Sequence, residues 1–332
     1  MAPRGKRANA TATKSLSSGL VEALKFISVA QRDTGQVYQT HCILARNMAV
    51  AFDGVVAAGV PIAEDIQACP QTGALVAALS QCGESLSITQ LDGARLSIKS
   101  EKFQAYVPCV SWQELTYPTP DAPCATIDDR IRAGFACVGI LASDTSQHVV
   151  TASVLLQANS MVSTNRHVML EYWHGIDLPR IIIPKAFVTA ITKSTKPLKQ
   201  LGFSDNSVTF YFDDGSWIKS QRYADEWPDM GKILNQGFEP KPIPENFYKA
   251  VDAVASFSDD GSVRLMDTKL SSHKDAGVGA VYDCDLRVNV TLNAKYLKIA
   301  EPYAKVFDFT GINGISYFQG ECVRGAISQV RE

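Results

Sequence analysis

The sequence predicts an α+β protein that contains three similar domains in tandem. The order helix, strands, helix, strands occurs three times along 332 residues, and repetition of one supersecondary unit is the signature of a repeated architecture. Two Pro-rich joints, YPTPDAPC at 117–124 and GFEPKPIPE at 237–245, separate the copies. The predicted parts are a disordered basic tail over 1–14 and domains over 15–117, 124–236 and 243–332.

Landmarks in the first two copies recur at similar distances. Pro70 and Pro184 each begin a predicted helix and lie 114 positions apart, and proline is typical of the first helical position. Asp92 and Asp214 each precede a glycine in a predicted hairpin turn and lie 122 positions apart. These distances indicate two units of one design.

The first domain contains two predicted helices and several strands. Apolar residues at one-face spacing predict a helix over 19–32, and β-branched, partly alternating residues predict strands over 37–45 and 48–62. The segment 70–83 begins with proline and ends with glycine, which is typical of a helix. Alternation on both sides of an Asp-Gly pair predicts a hairpin over 85–107.

The second and third domains repeat this order. Thr126 is a candidate N-cap, and the aspartates that follow it favour a helix start. The predicted elements of the second domain are a helix over 126–141, strands over 148–157, 160–173 and 179–184, a helix over 184–202 and a hairpin over 207–224. Those of the third are a helix over 246–257, strands over 261–273 and 281–292, a helix over 293–305 and closing strands over 306–330.

The composition indicates an ordinary globular protein. It is 46% hydrophobic and 20% charged, and its apolar runs fall short of the roughly 20 residues that cross a bilayer. We therefore expect no membrane span, and no secretory signal because an apolar segment does not follow the basic N-terminal residues. Eight cysteines stand singly without a CxxC pair, which predicts core thiols in a reducing compartment and not a zinc site.

Candidate chemical sites are weak. His167 and His174 lie seven residues apart on a predicted strand, which places them on opposite faces and too far apart to share a metal. Cys109 and Cys137 lack a Gly-rich elbow or other nucleophile signature. Adjacent aspartates fall at a helix start and at turns, where capping and turn geometry explain them, and phosphate-binding glycine motifs do not occur. We expect neither enzymatic activity, nor a cofactor, nor a metal.

Three segments of the middle domain carry a family resemblance. VSTNRHVML is followed by IIIPKAFVTAITK and then by SWIKSQRYADEWPDM, and AFDGVVAAG in the first domain echoes the same strand entry. This order resembles the bacterial DNA polymerase III beta subunit, the sliding clamp, and particularly its divergent phage-encoded type. In that family a Thr-Asp-Gly-His-Arg-Leu strand entry precedes a Pro-Lys helix start and a strand that leads to Tyr-Pro-Asp. The resemblance extends over about 15–332.

The resemblance implies the DNA clamp fold, in which three similar domains per chain form a ring. Two chains would close a six-domain homodimer with sheets outside and twelve helices around the hole. It further implies a processivity factor that encircles double-stranded DNA without reading its sequence, is loaded by a clamp-loader ATPase and tethers DNA polymerase. The implied location is the bacterial cytoplasm, including that of a phage-infected host, without a membrane partner.

The distribution of charge supports this expectation. The formal charge is -2, and four basic residues in 1–14 leave -6 on the remainder. The predicted helical windows together carry +6, so residues 15–332 outside these windows carry -12. A hole that surrounds DNA requires such positive charge on the helices that line it. The windows are 19–32, 70–83, 127–141, 184–202, 244–257 and 292–305. The predicted DNA-binding residues are Lys25, Arg32, Arg130, Arg132, Lys185, Lys193, Lys196, Lys199, Lys249, Lys295, Lys298 and Lys305.

The resemblance also implies a pocket that receives short peptides from partner proteins through apolar anchors. Arg166 stands where the family usually has glycine, Asn235 where proline is common, and the segment AISQVRE departs from the usual Met-Pro-Met-Arg-Leu ending. Peptide specificity is therefore expected to differ. The predicted pocket residues are Val150, Thr164, Arg166, His167, Met169, Asn235, Ile327 and Val330.

An alternative of another class is a non-enzymatic phage structural or assembly protein built from repeated β-rich domains. In that interpretation the lysines are ordinary solvated helix faces, and the pocket residues belong to sheet packing.

Overall fold

The structure is a computed structural model that describes residues 11–83, 85–91, 94–111, 115–275 and 277–330, without the side chains of 11–18 and 312. Packing divides the chain into two compact units. Unit 1 comprises Met1–Arg132 and Ala186–Arg222, and unit 2 comprises Ala133–Lys185 and Tyr223–Glu332. The three-domain division remains a prediction.

Helices and strands alternate along the described chain. The helices are α1 (Lys14–Ile27), α2 (Val37–Thr40), α3 (Thr72–Ser80), α4 (Asp129–Val138), α5 (Val149–Ala152), α6 (Lys185–Lys193), α7 (Gly231–Leu234), α8 (Phe247–Ala255) and α9 (Ala294–Ala300), with 3-10 turns at Ser28–Ala30, Gly139–Leu141 and Ile312–Gly314. The strands of the first 130 residues are β1 (Thr11–Thr13), β2 (Ile43–Ala45), β3 (Met48–Phe52), β4 (Val56–Pro61), β5 (Cys69–Pro70), β6 (Ser85–Leu91), β7 (Arg95–Ser100), β8 (Phe103–Val110) and β9 (Pro123–Thr126). Those that follow are β10 (Ser153–Gln157), β11 (Ser160–Thr164), β12 (Val168–Trp173), β13 (Ile181–Pro184), β14 (Leu198–Phe203), β15 (Ser207–Phe212), β16 (Trp217–Gln221), β17 (Lys241–Pro242), β18 (Ser262–Ser271), β19 (Val281–Asn293), β20 (Val306–Asp308), β21 (Ile315–Gln319) and β22 (Val323–Ser328).

Unit 1 contains a seven-stranded sheet in the order β2-β3-β4-β16-β15-β14-β9 and a five-stranded sheet in the order β1-β6-β7-β8-β5. In the larger sheet, two antiparallel meanders from distant parts of the chain meet where β4 pairs with β16. Gly59 lies opposite Trp217 at this junction, and a Cβ at Gly59 would lie 2.3 Å from the indole. The junction therefore needs a residue without a side chain.

Unit 2 is built in the same way. Its eight-stranded sheet has the order β13-β10-β11-β12-β22-β21-β20-β17, and the two meanders meet where β12 pairs with β22. A separate two-stranded sheet pairs β18 with β19. Both units thus join an early meander to a later one by an antiparallel pair.

Aromatic side chains fill the core of each unit. In unit 1 the buried rings of Phe187 and Phe210 meet edge to face at 5.1 Å. In unit 2 Phe247 from α8 packs against Phe307 and Phe309, whose rings stack at 4.7 Å. Such pairs add to the free energy gained from apolar burial, and they fix helices on the sheets that carry them.

Several predicted elements differ from the observed ones because local polar contacts prevail over propensity. The predicted strand over 37–45 begins as α2, where Gln36 and Gln39 form a reciprocal capping box. The predicted strand over 148–157 likewise begins as α5. The Asp92-Gly93 turn lies outside the described residues, but the strands around it are present as β6 and β7.

The predicted helix over 184–202 is the largest difference. Helix α6 ends at Lys193, and the chain continues as β14, which pairs with β9 and β15. Pro197 has no backbone N–H and disfavours helical backbone in the residue before it. Lys196 and Lys199 therefore lie outside the helix that the sequence predicts.

The first predicted joint is fixed to unit 1 by a buried aspartate. The carboxylate of Asp121 accepts hydrogen bonds from Ser207 Oγ at 2.8 Å, Thr209 Oγ1 at 2.8 Å and Lys219 Nζ at 3.0 Å. Side-chain exposure is 7% for Asp121 and 14% for Lys219. Burial opposes the charged form, but these donors outweigh it and lower the pKa of Asp121 below its ordinary value.

Helices within the described ranges fall short of the length and hydropathy needed to cross a bilayer.

We expect Asp121→Asn to destabilise the protein by about 2 kcal/mol at pH 7, because the largely buried Lys219 side chain would lose its counter-ion. The folded pKa of Asp121 is depressed, so its contribution is full above the unfolded value of about 3.9 and is lost as the pH falls through the folded value. Urea unfolding at pH 7 and at pH 3 should therefore show a smaller difference between the variant and the parent chain in acid. The exposed Asp213→Asn is the control, and equal effects of the two substitutions would contradict this assignment.

Candidate functional site

One face of the eight-stranded sheet of unit 2 carries the candidate site. Successive side chains of a strand point to opposite faces, so the register places Thr164, Met169, Ala326 and Tyr317 in one row across β11, β12, β22 and β21. We call these four residues the groove row. Three of them, with Val162 and Leu234, form a buried apolar cluster.

The segment 223–238 covers part of this face. Leu234 belongs to the buried cluster, and Met230, Ile233 and Phe238 pack against it while remaining partly accessible. A neighbouring cluster contains Leu155, Ile182 and Trp227. Apolar residues at the edge of a partly covered cluster can bind apolar anchors of an extended peptide.

The stretch that the sequence predicts as one strand over 160–173 is a tight hairpin of β11 and β12. Asn165 Oδ1 accepts the backbone N–H groups of His167 at 3.0 Å and Val168 at 2.7 Å, as asparagine does in turns. Thr164 Oγ1 donates to the Val168 carbonyl at 2.8 Å and accepts from Arg166 N–H at 3.1 Å. Arg166 has a φ of 77°, a backbone conformation that favours glycine, so an exposed arginine occupies the turn at some conformational cost.

The structure brings four of the eight predicted pocket residues to the same face. Thr164 and Met169 are paired in the groove row. Asn235 follows Leu234 of the cluster and is exposed, and Val150 packs against the Trp227 cluster.

The other predicted pocket residues lie elsewhere in unit 2. Ile327 is fully buried and pairs with Val168, so it points away from the face that holds Met169. The imidazole of His167 stacks on Tyr296 at 5.3 Å. Val330 is 40% exposed and lines a separate 340 Å³ cavity that also contains Arg264 and Lys274.

Sequence reasoning missed Ala326, Tyr317 and the apolar positions of 223–238. The apolar spacing within WPDMGKILNQGF was the available signal, whereas the contact of β22 with β12 depends on pairing between distant strands. Tyr296 carried no signal beyond its place on a predicted helix.

A partly buried ion pair fixes the sheet beside the groove row. Glu171 of β12 accepts from Arg324 Nε of β22 at 2.6 Å and from Ser160 Oγ at 2.8 Å. Arg324 also donates to the Leu234 carbonyl at 3.2 Å, and its guanidinium lies 5.0 Å from the centre of the Trp173 ring. These contacts join four elements of the site, β11, β12, β22 and α7.

The predicted DNA-binding residues form two classes. Six have partners on the protein: Arg130 with Asp128, Arg132 with Asp129 and the carbonyls of Ile191 and Lys196, Lys185 with the Gly139 carbonyl at 2.7 Å, Lys196 with Asp214 at 2.6 Å, Lys298 with Asp252 at 2.9 Å and Glu301 at 2.6 Å, and Lys305 with Glu321 at 3.5 Å. The other six are exposed and form no side-chain ion pair with described residues: Lys25, Arg32, Lys193, Lys199, Lys249 and Lys295. The second class can neutralise an external polyanion without first losing a partner.

Two members of the first class have structural roles. Burial lowers the pKa of the Lys185 amino group, and Asp144 opposes this shift. The amino group of Lys196 lies 4.1 Å from the centre of the Phe26 ring in addition to its pair with Asp214. We therefore assign Lys185 and Lys196 primarily to the stability of the fold.

Metal and thiol chemistry have little support among the described residues. These residues contain no cluster of three side chains suited to a metal ion, and His167 is exposed whereas His174 is buried. None of the eight cysteines, all of which the structure describes, forms a disulfide bond. Burial raises the pKa of Cys42 to about 12 and of Cys137 to about 11, which disfavours the nucleophilic thiolate. Contrary to the prediction of core thiols, Cys124 and Cys322 are exposed.

Comparisons with known proteins identify the fold. No protein-family model matches the sequence, and no curated protein matches it. Solved structures do match: a DNA polymerase sliding clamp from Pseudomonas aeruginosa has a TM-score of 0.82 at 10% identity, covering 98% of this chain and 100% of that one. The sliding clamp from Caulobacter crescentus has a TM-score of 0.81 at 16% identity, with the same coverage.

A third similar structure is the Helicobacter pylori beta clamp bound to a DNA ligase peptide, with a TM-score of 0.77 and 14% identity over 98% of this chain and 100% of that one. The predicted α+β clamp fold is therefore confirmed. The structural neighbours are bacterial sliding clamps.

Gly325 provides a test of the site's packing. A Cβ at this position would lie 2.3 Å from the Phe318 ring and 2.6 Å from the Met169 carbonyl, so Gly325→Ala should destabilise the protein by about 1–3 kcal/mol through overpacking. Gly73→Ala is the matched control, because nothing lies within 4 Å of its Cβ and α3 accommodates alanine; it should stabilise by up to about 1 kcal/mol. Urea unfolding followed by circular dichroism measures both, and a neutral Gly325→Ala would contradict the described packing.

Proposed function

We propose that this protein is a DNA polymerase processivity factor, a sliding clamp that encircles duplex DNA and catalyses no reaction. The observation that carries the proposal is the similarity of almost the whole chain to sliding clamps, which extends over all of each compared chain. Encirclement converts rebinding of a tethered polymerase into an effectively intramolecular event. The proposed partners are double-stranded DNA, a DNA polymerase and a clamp-loader ATPase.

The exposed lysines support contact with DNA. Lys193 ends α6, Lys199 lies on β14, and Lys25 lies on α1, all within unit 1. In unit 2, Lys249 and Lys295 lie on α8 and α9. Lysine contacts to phosphate are screened by salt and carry no sequence information, which suits a protein that slides.

Open strand edges support assembly of two chains into a homodimeric ring. Residues 103–107 of β8 pair with β7 on one side, and no described strand pairs with their other edge. The sheet of β18 and β19 has two strands, and its outer edges likewise lack a strand partner among the described residues. Exposed edges of this kind favour pairing with another chain.

The groove row supports binding of partner peptides. Partly accessible apolar residues surround Met169 and Leu234, and the Helicobacter pylori clamp was solved with a DNA ligase peptide. We propose that the chain acts in the bacterial cytoplasm, including that of a phage-infected host, and that its arginine at position 166 alters the choice of partners.

Retention on circular DNA tests the ring. We expect the parent chain to have twice the 36.1 kDa chain mass in sedimentation, to be retained on nicked circular DNA when a loader ATPase is present, and to be released when one cut linearises the DNA. Lys193→Glu with Lys199→Glu should weaken retention and lower the slope of log affinity against log salt by about 1 per lysine.

Lys241→Glu is the control for this experiment, since Lys241 is exposed but lies on edge strand β17, outside the predicted DNA-binding set. A stable monomer at micromolar concentration that is released equally from circular and linear DNA would contradict the proposal.

Peptide binding has its own test with the ligase peptide as probe. Met169→Ala removes apolar contact from the groove row and should weaken binding about tenfold, equivalent to about 1.4 kcal/mol. Val168→Ala is the matched control, because Val168 is equally buried but points to the opposite face; its affinity should stay within about twofold. Calorimetric titration measures both, and equal losses would argue against the groove row as the peptide site.

A further inference from the structure

The groove row is covered in this structure. Each of its four residues exposes only 5% or 6% of its surface. Residues 228–238, which we call the cover segment, contain α7 and provide much of this cover, since Met230, Ile233 and Phe238 pack against the cluster. An apolar anchor gains free energy by removing apolar surface from water. It therefore gains little at the groove row unless the cover segment moves.

The chain is fixed immediately before and after the cover segment. Before it, Trp227 is 4% exposed and its carbonyl accepts from Arg180 Nη2 at 2.8 Å. After it, the backbone N–H of Glu239 donates to Asp308 Oδ2 at 3.1 Å. These two anchors allow the cover segment to move while the chain on either side stays in place.

Among the described residues, a single hydrogen bond joins the cover segment to the rest of the protein. Arg324 Nη1 donates to the Leu234 carbonyl at 3.2 Å, whereas the other hydrogen bonds of the segment connect its own residues. Leu234 is the last residue of α7, where carbonyl groups lack partners within the helix. A guanidinium at this position satisfies one of them.

The sheet holds Arg324 in place for this contact. Its Nε donates to Glu171 at 2.6 Å, and Glu171 also accepts from Ser160 Oγ at 2.8 Å. The guanidinium lies 5.0 Å from the centre of the Trp173 ring. These partners lie on β11 and β12, so the sheet orients the donor without help from α7.

Helix α7 itself is weakly supported. It has four residues, and a helix of this length is unstable without tertiary contacts. Cavities of about 460 and 160 Å³ flank it, and the residues that line both are Leu234, Asn235 and Arg324. The contact between Arg324 and α7 thus separates two open spaces, and little else packs beside it.

We propose that Arg324 is a positioning residue that holds α7 closed over the groove row, and that a partner peptide binds after this contact opens. Opening removes the partition between the two cavities and uncovers the apolar surface around Met169. The role of the peptide rests on the proposed function, whereas the closure of α7 by Arg324 rests on the contacts alone.

Hydrogen–deuterium exchange of the full chain, measured by mass spectrometry, tests the closure. In Arg324→Lys the ammonium keeps a positive charge for Glu171 but lacks the fork that reaches two acceptors. The N–H groups of Ile233, Leu234 and Asn235, which donate within the segment, should exchange about three- to tenfold faster, the range of one net hydrogen bond. Exchange in β12 should stay as in the parent chain. Unchanged exchange in α7 would overturn the proposal.

Arg264→Lys is the matched control. Arg264 also donates to a backbone carbonyl, that of Ser272 at 3.0 Å, but it lies on β18, so its replacement should leave exchange in α7 unchanged. If Arg324→Lys speeds exchange in β12 as well, the sheet is disturbed. Glu171→Gln combined with Arg324→Gln then removes both charges together and should speed exchange in α7 alone. Unchanged exchange in α7 of that variant would also overturn the proposal.

Affinity for the ligase peptide gives a readout that a merely structural role would not produce. A ligand that binds only the open form has its apparent affinity reduced by the closed fraction. Arg324→Lys should therefore bind the peptide more tightly, by the same factor as it speeds exchange in α7. The peptide should also speed exchange in α7 of the parent chain. Weaker or unchanged binding by Arg324→Lys, or slower exchange in α7 of the complex, would overturn the proposal.

The outcomes separate the two proposals. If exchange in α7 responds to Arg324→Lys but neither chain binds the ligase peptide, the peptide-binding part of the proposed function is contradicted and the closure of α7 by Arg324 is kept. If the parent chain binds the peptide and is retained on circular DNA, but exchange in α7 does not respond, the closure by Arg324 alone is contradicted.

Discussion

Antiparallel pairing between strands that are distant in sequence is the constraint on which both units depend. The pairs β4 with β16 and β12 with β22 join meanders that would otherwise end in open edges. Bringing such strands together costs loop-closure entropy before any contact is gained. The junction strands approach closely: Gly59 lies against Trp217 at the first junction, and Gly325 pairs with Leu170 and lies against the Met169 carbonyl at the second. The groove row crosses the second junction, so the same pairing that holds the sheet together also builds the site.

Local periodicity predicted the elements whose stability is local. Helix α8 around Val251 and helix α9 around Leu297 lie within the predicted windows because one apolar face dictates each of them. The prediction over 184–202 was wrong where Pro197 ends helical backbone and pairing with β15 determines the conformation. Neither the hairpin at Asn165 nor the short helix at Gln36 has a periodic signature, since single side chains that cap backbone groups create them.

The site was predictable in part for the same reason. A resemblance in motif order located Thr164 and Met169 on one face, but the direction in which Ile327 points depends on the register of β22, which spacing alone does not give. Charge counting likewise identified a lysine-rich region, but it did not show which of these lysines pair with other side chains of the protein. Lys196 meets Asp214 and Phe26, which come from different elements, so equal charges in the sequence have unequal roles in the structure. Exposed lysines, whose charges are screened by salt, are available to a polyanion, whereas lysines that join elements of the fold are not.

The position of β22 has a consequence for folding during synthesis. It is the last described strand to leave the ribosome, yet it lies in the interior of the eight-stranded sheet between β12 and β21. Until it arrives, the nascent chain exposes two unpaired strand edges and the apolar residues around Met169. Exposed edges and apolar surface of this kind favour aggregation of partly folded chains. Unit 2 therefore has a period of vulnerability that ends only when β22 pairs, and unit 1 has a similar period that ends when β16 pairs with β4 and β15.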